Sequence, residues 1–168
     1  MNSKSSKDKK AKTPGKDMLA KNRTAHYEYE IEETFEAGIE LSGTEVRSLR
    51  ERSAQITESF VLIRDGQAWL HGLHIAPFSH GSFANKNPDR KRRLLLHKKQ
   101  IRYLEKKTEP KGMAIIALEL YFDKNSRVKV KIALAKGKKL FDKRASEAKR
   151  ESDRRLAREL KERNNRAL

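Results

Sequence analysis

The stretch ALAKGKKLFDKR, residues 133–144, divides the chain into a folded part and a basic extension. Just before it, the sequence VKVKI (residues 128–132) alternates apolar residues with lysines, the period-two pattern of a half-buried strand. Gly137, with lysines on both sides, interrupts this pattern, and the residues beyond it carry no apolar stripe wide enough to pack against a core. We therefore expect a folded body to end here and a tail with a different role to begin.

The composition indicates a large anionic partner. The chain has 168 residues and a formal net charge of +17, from 40 Lys and Arg against 23 Asp and Glu. Lysines and arginines laid on phosphates release condensed counterions, so nucleic acid is the partner such a charge favours. The chain has no Cys, which excludes disulfides and thiolate metal sites. Its N-terminus lacks the apolar core of a secretory signal, and we expect a cytoplasmic protein.

We expect three parts along the chain: a disordered basic arm (residues 1–21), a barrel (22–136) and a basic tail (137–168). Residues 27–35, YEYEIEETF, alternate as one strand, with a turn at Ala37 and Gly38. The strand resumes, passes a bulge at Gly43 and continues to Leu49.

The remaining segments complete a mainly β fold. Asp65 and Gly66 lie between two apolar runs, residues 60–63 and 67–75, and predict a hairpin. Leucines and an isoleucine at helical spacing predict a helix over residues 96–107, followed by strands over 113–122 and 127–135. Short antiparallel strands with one inserted helix favour a small barrel like the oligonucleotide-binding (OB) fold.

The tail carries acid-to-base pairs four residues apart, such as Glu151 with Arg155 and Glu159 with Arg163. Each adds only about 0.3 kcal/mol, too little to hold an isolated helix against its nucleation cost. We expect the tail to be disordered when free and helical when bound to a polyanion; a permanently solvated helix is the alternative.

Convergent catalytic groups are not evident. His71 and His74 fall three apart on a predicted strand, where they would face opposite sides and share no metal. Glu36 and Glu45 lie near predicted turns, as surface charges or as acceptors for base amino groups. A metal-dependent nuclease and an unspecific nucleic-acid coat stay open as alternatives to a specific RNA binder.

The basic residues of the body occur with groups that can contact bases. A block of four cations runs into three leucines, of which Leu95 is either a core residue or an exposed contact for a base or ribose. Glu36 is unusual on a basic surface because its charge is negative. A carboxylate can accept hydrogen bonds from base N–H groups, which would let Glu36 read bases. The candidate RNA-binding residues are Asn22, Arg23, Tyr27, Glu36, Arg90, Lys91, Arg92, Arg93, Leu95, Lys129 and Lys131.

Four segments in this order resemble the small protein B family, the SsrA-binding proteins of bacteria. They are EAGIELSGTEVRSLRE (residues 36–51), the hairpin around DGQAWL, PDRKRRLLLHKKQI (88–101) and KVKIALAKGKKLFDKR (129–144). The resemblance implies an OB-like barrel and a role in trans-translation, with the barrel on the tRNA-like domain of transfer-messenger RNA. It implies a protein that needs no cofactor and is not an enzyme, and a tail that enters the empty mRNA channel of a stalled ribosome. We expect a monomer.

The resemblance also implies roles for single residues. Asn22, Glu36 and Leu95 fall on family positions that bind RNA. Tyr27 stands where the family usually has His, so any contact by that His would fall to a tyrosine. Phe141 is expected to stack on a ribosomal base or to anchor the first turn of the tail. The residues expected at the decoding centre are Lys136, Gly137, Lys138, Lys139, Phe141, Asp142, Lys143 and Arg144.

Overall fold

The structure is a computed structural model that describes residues 16–166. Its strands are β1 (Asp17–Lys21), β2 (Tyr29–Ile39), β3 (Ala54–Gln55), β4 (Phe60–Arg64), β5 (Gln67–His71), β6 (His74–Ile75), β7 (Arg92–Leu95), β8 (Met113–Phe122) and β9 (Val128–Gly137). Its helices are α1 (Ala25–Glu28), α2 (Gly43–Arg50), α3 (Lys98–Thr108) and α4 (Leu140–Arg166), with one 3₁₀ turn at Ser82–Ala84.

The sheet closes on itself, which confirms the small antiparallel barrel. The order β8-β4-β5-β7-β2-β9 returns to β8 through the β8–β9 pairing, and β1 pairs with the C-terminal half of β8. Apolar side chains fill the interior, among them Leu49, Leu70, Leu104 and Ile132, all fully buried. Each such side chain contributes about 1.5–3 kcal/mol, so burial of the interior is a main source of the stability of the body.

The predicted hairpin is confirmed. β4 and β5 pair in register from Phe60 with His71 to Arg64 with Gln67. Asp65 and Gly66 both adopt positive φ, 51° and 70°, as a type I′ turn requires. The second arm is shorter than predicted, because β5 ends at His71 and His74 belongs to the separate strand β6.

The prediction for the first strand is wrong at both ends. Tyr27 lies in the helical turn α1, and β2 runs straight through Ala37 and Gly38, where a turn was predicted. A bulge after Ile31 changes the face of the strand. Residues before it pack on a small cluster around Ala25, and residues after it point into the main core. Simple alternation along the sequence does not register such a change.

The predicted continuation of that strand to Leu49 is also wrong, since residues 43–50 form helix α2. Ser42 is its N-cap: the Ser42 Oγ accepts from the Glu45 N–H, and the Glu45 carboxylate accepts from the Ser42 N–H at 2.8 Å. This reciprocal capping box fixes the helix start. Glu45 is therefore buried and not the surface charge that was expected.

The inserted helix begins two residues later than predicted, at Lys98 with His97 as its N-cap. Leu94 has the right spacing for a helix but lies in strand β7, with its side chain in the barrel core. Ile101 and Leu104 are the buried positions of α3 itself. Residues three and seven apart cannot distinguish a helix from a strand that ends and leads into one.

The predicted part boundaries shift as well. Residues 17–21, assigned to a disordered arm, form β1 on the edge of β8, because their backbone groups complete that ladder. The rest of the predicted arm, residues 1–15, lies outside the described residues. At the other end β9 includes Gly137, and the tail is helical from Leu140 onward.

Candidate RNA-binding face and tail

Leu95 forms a ridge on the outer face of the barrel. Its neighbour in the ladder is Gly38 of β2, and its side chain is 53% exposed, whereas Leu94 points inward. A Cβ placed on Gly38 would lie only 3.2 Å from the Leu95 Cβ, so a larger residue at Gly38 would displace the leucine. The structure thus favours the interpretation of Leu95 as an exposed contact.

Open grooves flank this ridge on both sides. One, of about 680 Å³, is lined by Glu36, Lys98 and Lys129 together with Leu95. The other, of about 400 Å³, is lined by Arg127 and again by Leu95 and Lys129. An apolar ridge between cationic grooves can hold a base or ribose on the ridge and phosphates beside it.

Glu36 lies on the outer face of β2 and is held in place by Tyr121 of β8. The Tyr121 hydroxyl donates a hydrogen bond to the Glu36 carboxylate. Burial, and then this hydrogen bond, raise the pKa of Tyr121, so the phenol stays protonated and keeps donating. One carboxylate oxygen of Glu36 is thereby fixed, and the exposed side chain offers its remaining acceptor sites to a ligand.

Lys129 and Lys131 surround this carboxylate on β9. Lys131 pairs in register with Glu36 on one side and with Glu119 on the other, and Lys129 pairs with Gly38. Both lysines are half-buried, and their neighbours Val130 and Ile132 point into the core. The predicted placement of the two lysines on the outward face is what the structure shows.

The block of four cations is divided by the structure. Arg92 is fully buried: its Nε donates to Glu45 at 2.9 Å, and its Nη1 and Nη2 donate to the carbonyls of Leu73 and Pro88 at 2.7 and 2.9 Å. The prediction that Arg92 binds RNA is wrong in this structure, because no atom of its side chain reaches the surface. Arg92 instead joins α2 to the loop before β7.

The other three cations of the block have separate positions. Arg90 donates to both Glu45 oxygens, at 2.9 and 2.6 Å, so it too is occupied by this carboxylate. An Arg93 nitrogen lies 2.9 Å from a Glu40 oxygen on the outer face, and Lys91 is exposed. Lys91 is thus open to a phosphate, whereas Arg93 is half-exposed and already paired with Glu40.

Glu45 is the centre of this network. Burial by itself raises the pKa of the Glu45 carboxyl, but hydrogen bonds from Arg90 and from the Ser42 N–H, together with the charge of Arg92, outweigh it and leave the pKa lowered. The carboxylate is therefore ionised and fully paired at neutral pH. A buried charge of this kind is stable only while its partners are present.

The candidates at the start of the body are also separated. Asn22 is 5% exposed, and its amide donates to the carbonyls of Thr57 and Ala117 at 2.9 and 3.3 Å while its oxygen accepts from Thr24. Those contacts give Asn22 a role in the fold and leave little of it for RNA. Arg23 is exposed, and its contact with RNA stays a prediction.

The first residues of the tail are attached to helix α1. The Lys138 N–H donates to the Glu28 carbonyl at 3.0 Å, and the Lys138 Nζ donates to the His26 carbonyl at 2.8 Å. The Lys143 Nζ lies 5.9 Å from the centroid of the Tyr27 ring, within the range of a cation–π contact. Tyr27 therefore lies under the tail and does not face the Leu95 ridge.

The rest of the described tail is exposed. Phe141 is 80% exposed, and beyond Ser146 every side chain up to residue 165 faces solvent. Phe141 is not packed as an anchor for the first turn, which favours the stacking interpretation. Among the described residues, neither Glu151 with Arg155 nor Glu159 with Arg163 approaches within ion-pair distance. The other predicted decoding-centre residues, Lys136, Gly137, Lys139, Asp142 and Arg144, are also exposed.

Two functional features were missed from the sequence. The Ser42-to-Glu45 spacing is a capping-box pattern, and it signals both the helix and the inward position of Glu45. The role of Tyr121 in fixing Glu36 joins residues 85 apart, and no local signal indicates it.

Within residues 16–166, no helix is long and apolar enough to cross a bilayer.

Comparisons with known proteins give the family. The profile described as SmpB protein matches residues 19–162. An SsrA-binding protein of Syntrophobacter fumaroxidans is 49% identical over 146 residues, 87% of this chain and 90% of the relative. One from Pelobacter propionicus is 48% identical over 150 residues, 89% and 98% of the two chains.

A solved chain also matches, from the structure described as "tmRNA-SmpB: a journey to the center of the bacterial ribosome". It is 49% identical, with a TM-score of 0.61, over 71% of this chain and 84% of that one. Profile, relatives and solved structure agree with the resemblance carried by the four sequence segments. The chain belongs to the SmpB protein family.

Proposed function

We propose that this protein is the RNA-binding adaptor of trans-translation, working in the cytoplasm as a monomer. Its barrel binds the tRNA-like domain of transfer-messenger RNA and brings that RNA to stalled ribosomes, where the two together mimic a tRNA. The names of the relatives, SsrA-binding proteins, and the ribosome structure of the matched chain support this role. The observation that carries it is the exposed Leu95 ridge between cationic grooves.

The Leu95 face divides the work of binding among different groups. Lys129 and Lys98 hold phosphates and supply most of the affinity, which depends on salt. Leu95 packs on a base or ribose. Glu36, oriented by Tyr121, accepts hydrogen bonds from base N–H groups and supplies specificity. Lys91, Arg93 and Lys131 extend the positive surface beside it.

The tail has a separate role at the decoding centre and in the empty mRNA channel. Its described residues beyond Ser146 bury nothing against the barrel, so the tail can exchange water for ribosomal RNA without cost to the core. A free helix of this kind gains little from its own side-chain pairs, and binding to RNA supplies what nucleation needs. Phe141 is the exposed aromatic that stacks on a base there.

The carboxylates of the binding face bear on whether the protein could cut RNA. Glu36 is the one carboxylate on the Leu95 ridge that is open to a ligand among the described residues, and it is hydrogen-bonded to a phenol. A two-metal nuclease needs several clustered carboxylates. We therefore propose an adaptor and not an enzyme, and we expect folded RNA to stay intact when it is incubated with the protein and Mg²⁺.

Two variants test whether binding and ribosome rescue belong to different parts. A chain that ends at Lys139 keeps β9 and the Lys138 contacts with α1, so we expect near-normal affinity for transfer-messenger RNA and no peptide tagging. Leu95→Asp places a negative charge on the ridge, and we expect affinity to fall about tenfold or more, which corresponds to roughly 1.4 kcal/mol. Leu62→Asp, another exposed leucine on a different strand, is the matched control.

The measurements are RNA affinity by filter binding and tagging in a purified translation system. Loss of RNA affinity in the shortened chain would contradict the division of labour. Equal losses for Leu95→Asp and Leu62→Asp would show that the ridge is not the binding face. Thermal unfolding of each variant separates loss of binding from loss of fold.

A further inference from the structure

A groove on another side of the barrel has the opposite electrostatic character to the Leu95 face. β4 and β8 pair only at Phe60 with Ile116 and Val61 with Ile115, and beyond these pairs the two strands separate. The opening forms a groove of about 710 Å³ between β4, the start of β8 and helix α3. We call it the acidic groove.

The charged residues of the acidic groove are all glutamates. Glu28, Glu58 and Glu105 belong to its lining, and no Lys, Arg or His does among the described residues. All three are exposed, and none of them forms an ion pair or a side-chain hydrogen bond within residues 16–166. In a chain with 40 basic and 23 acidic residues, such a site is a local reversal of sign.

The floor of the acidic groove is apolar. Tyr29, Phe60, Leu62 and Met113 contribute to it, and Phe60 and Leu62 are 41% and 38% exposed. The Ser59 hydroxyl, also part of the lining, is buried without a hydrogen-bond partner among the described residues. The site therefore offers apolar contact area, acceptors at its rim and one unused polar group.

These features decide the chemistry of the occupant. Phosphates would meet three carboxylates and no cation in the described groove lining, so RNA is disfavoured here. A peptide with lysine or arginine beside one bulky apolar side chain matches both the rim and the floor. We propose that the acidic groove binds a basic segment of another protein, with an apolar side chain against Phe60 and Leu62 and its cations at Glu28, Glu58 and Glu105.

The chain's own N-terminal arm fits this site less well. Residues 1–15 contain five lysines but no aromatic residue, leucine, isoleucine or valine to fill the floor. A separate protein that carries both kinds of side chain satisfies the whole site. The adaptor would then hold RNA at the Leu95 face and protein at the acidic groove at the same time, since the two sites have no lining residue in common.

The probe is a short synthetic peptide in which lysine alternates with valine around one phenylalanine. Its counterpart has glutamate in place of every lysine. We expect the basic peptide to shift the backbone amide signals of Tyr29, Phe60, Leu62 and Met113 in ¹⁵N NMR spectra of the full chain. We expect the acidic peptide to shift none of these four signals. The protein as a whole has a net charge of +17 and repels a basic peptide, so binding has to come from a local site. If the basic peptide shifts other signals instead of these four, or shifts none, the proposal is wrong.

Substitutions then test the rim. Glu28→Gln, Glu58→Gln and Glu105→Gln together should weaken peptide binding about tenfold, from roughly twofold for each exposed pair. The matched control changes three tail glutamates, Glu147→Gln, Glu151→Gln and Glu159→Gln, which alters the net charge equally and should change affinity less than about twofold. Equal losses in the two variants would mean that only the overall charge is sensed.

Two further measurements distinguish the alternative occupants. If removal of residues 1–15 raises peptide affinity markedly, the arm itself occupies the groove and the proposed protein partner is wrong. Affinity for transfer-messenger RNA should be the same in the rim variant and in the tail control. A selective loss of RNA binding in the rim variant would place RNA in the groove, whereas failure of peptide binding alone leaves the adaptor function standing.

Discussion

The barrel and the tail carry charge of the same sign but use it in opposite ways. In the barrel, Arg92 is fully buried and donates hydrogen bonds to Glu45 and to backbone carbonyls. In the tail, arginines such as Arg155 face solvent along the whole described helix. A basic residue in this chain is thus part of the fold or part of a binding surface according to burial, and sequence composition does not distinguish the two.

The largest expected effect comes from the removal of a buried arginine in the barrel. Arg92→Met leaves the buried Glu45 with one cation fewer and should destabilise the protein by about 3–5 kcal/mol in chemical denaturation. Arg155→Met, the same change in the tail, should alter the free energy of unfolding by less than about 0.5 kcal/mol. Similar losses at both sites would mean that α4 is part of the cooperative fold.

A second change separates function from stability in the tail. Phe141→Ala should leave the unfolding midpoint unchanged, because the ring is exposed, yet lower tagging on stalled ribosomes through loss of a stacking contact worth about 1–3 kcal/mol. Leu156→Ala, at 55% exposure on the same helix, is the control for a general loss of apolar surface. If both variants tag equally, Phe141 has no special contact.

The Leu95 face can be resolved into base and phosphate contacts. Glu36→Gln should weaken transfer-messenger RNA binding a few-fold and keep the salt dependence, whereas Lys129→Ala should lower the slope of log affinity against log salt by about 1. Tyr121→Phe frees Glu36 without removing it and should have the smaller effect. A shallower salt slope for Glu36→Gln would contradict base recognition.

The last expected effect is a dependence of barrel stability on acid. The pKa of Glu45 is lower in the folded protein than in the unfolded chain, so its stabilising effect is complete above the unfolded value, about 4.3, and is lost as pH falls through the folded one. We expect Glu45→Gln to be less stable at neutral pH and to lose less stability on acidification. Parallel curves for the two proteins would show that other carboxylates control acid unfolding.

Elements with a strong local signal were predicted well. The Asp65–Gly66 hairpin and the two long strands β8 and β9 follow from turn chemistry and alternation, which act within a few residues. The bulge in β2, the short strand β1 and the entire circuit of the barrel depend on partners far along the chain. Helix α2 was within reach, since its capping box is written in the sequence at Ser42 and Glu45.

The candidate site shows the same division. Leu95 and Glu36 were identified from residue type and family resemblance, but their exposure and the support from Tyr121 are visible only in three dimensions. Arg90 and Arg92 were assigned to RNA because a run of cations looks uniform in a sequence. Burial distinguishes them in the structure: Arg90 and Arg92 both donate to Glu45, and within β7 Arg92 faces inward whereas Arg93 does not, because a strand alternates its faces.

The sequence by itself determined the polyanionic partner, the basic character of the tail and the place where the alternating pattern stops. Each of these follows from residue type and from spacing over a few positions. Only the tertiary structure decided which charges are buried and which strands close the barrel. It also decided that three glutamates far apart in the chain share one groove. The physical reason is that burial and electrostatic environment depend on neighbours brought together by packing, which local sequence does not encode.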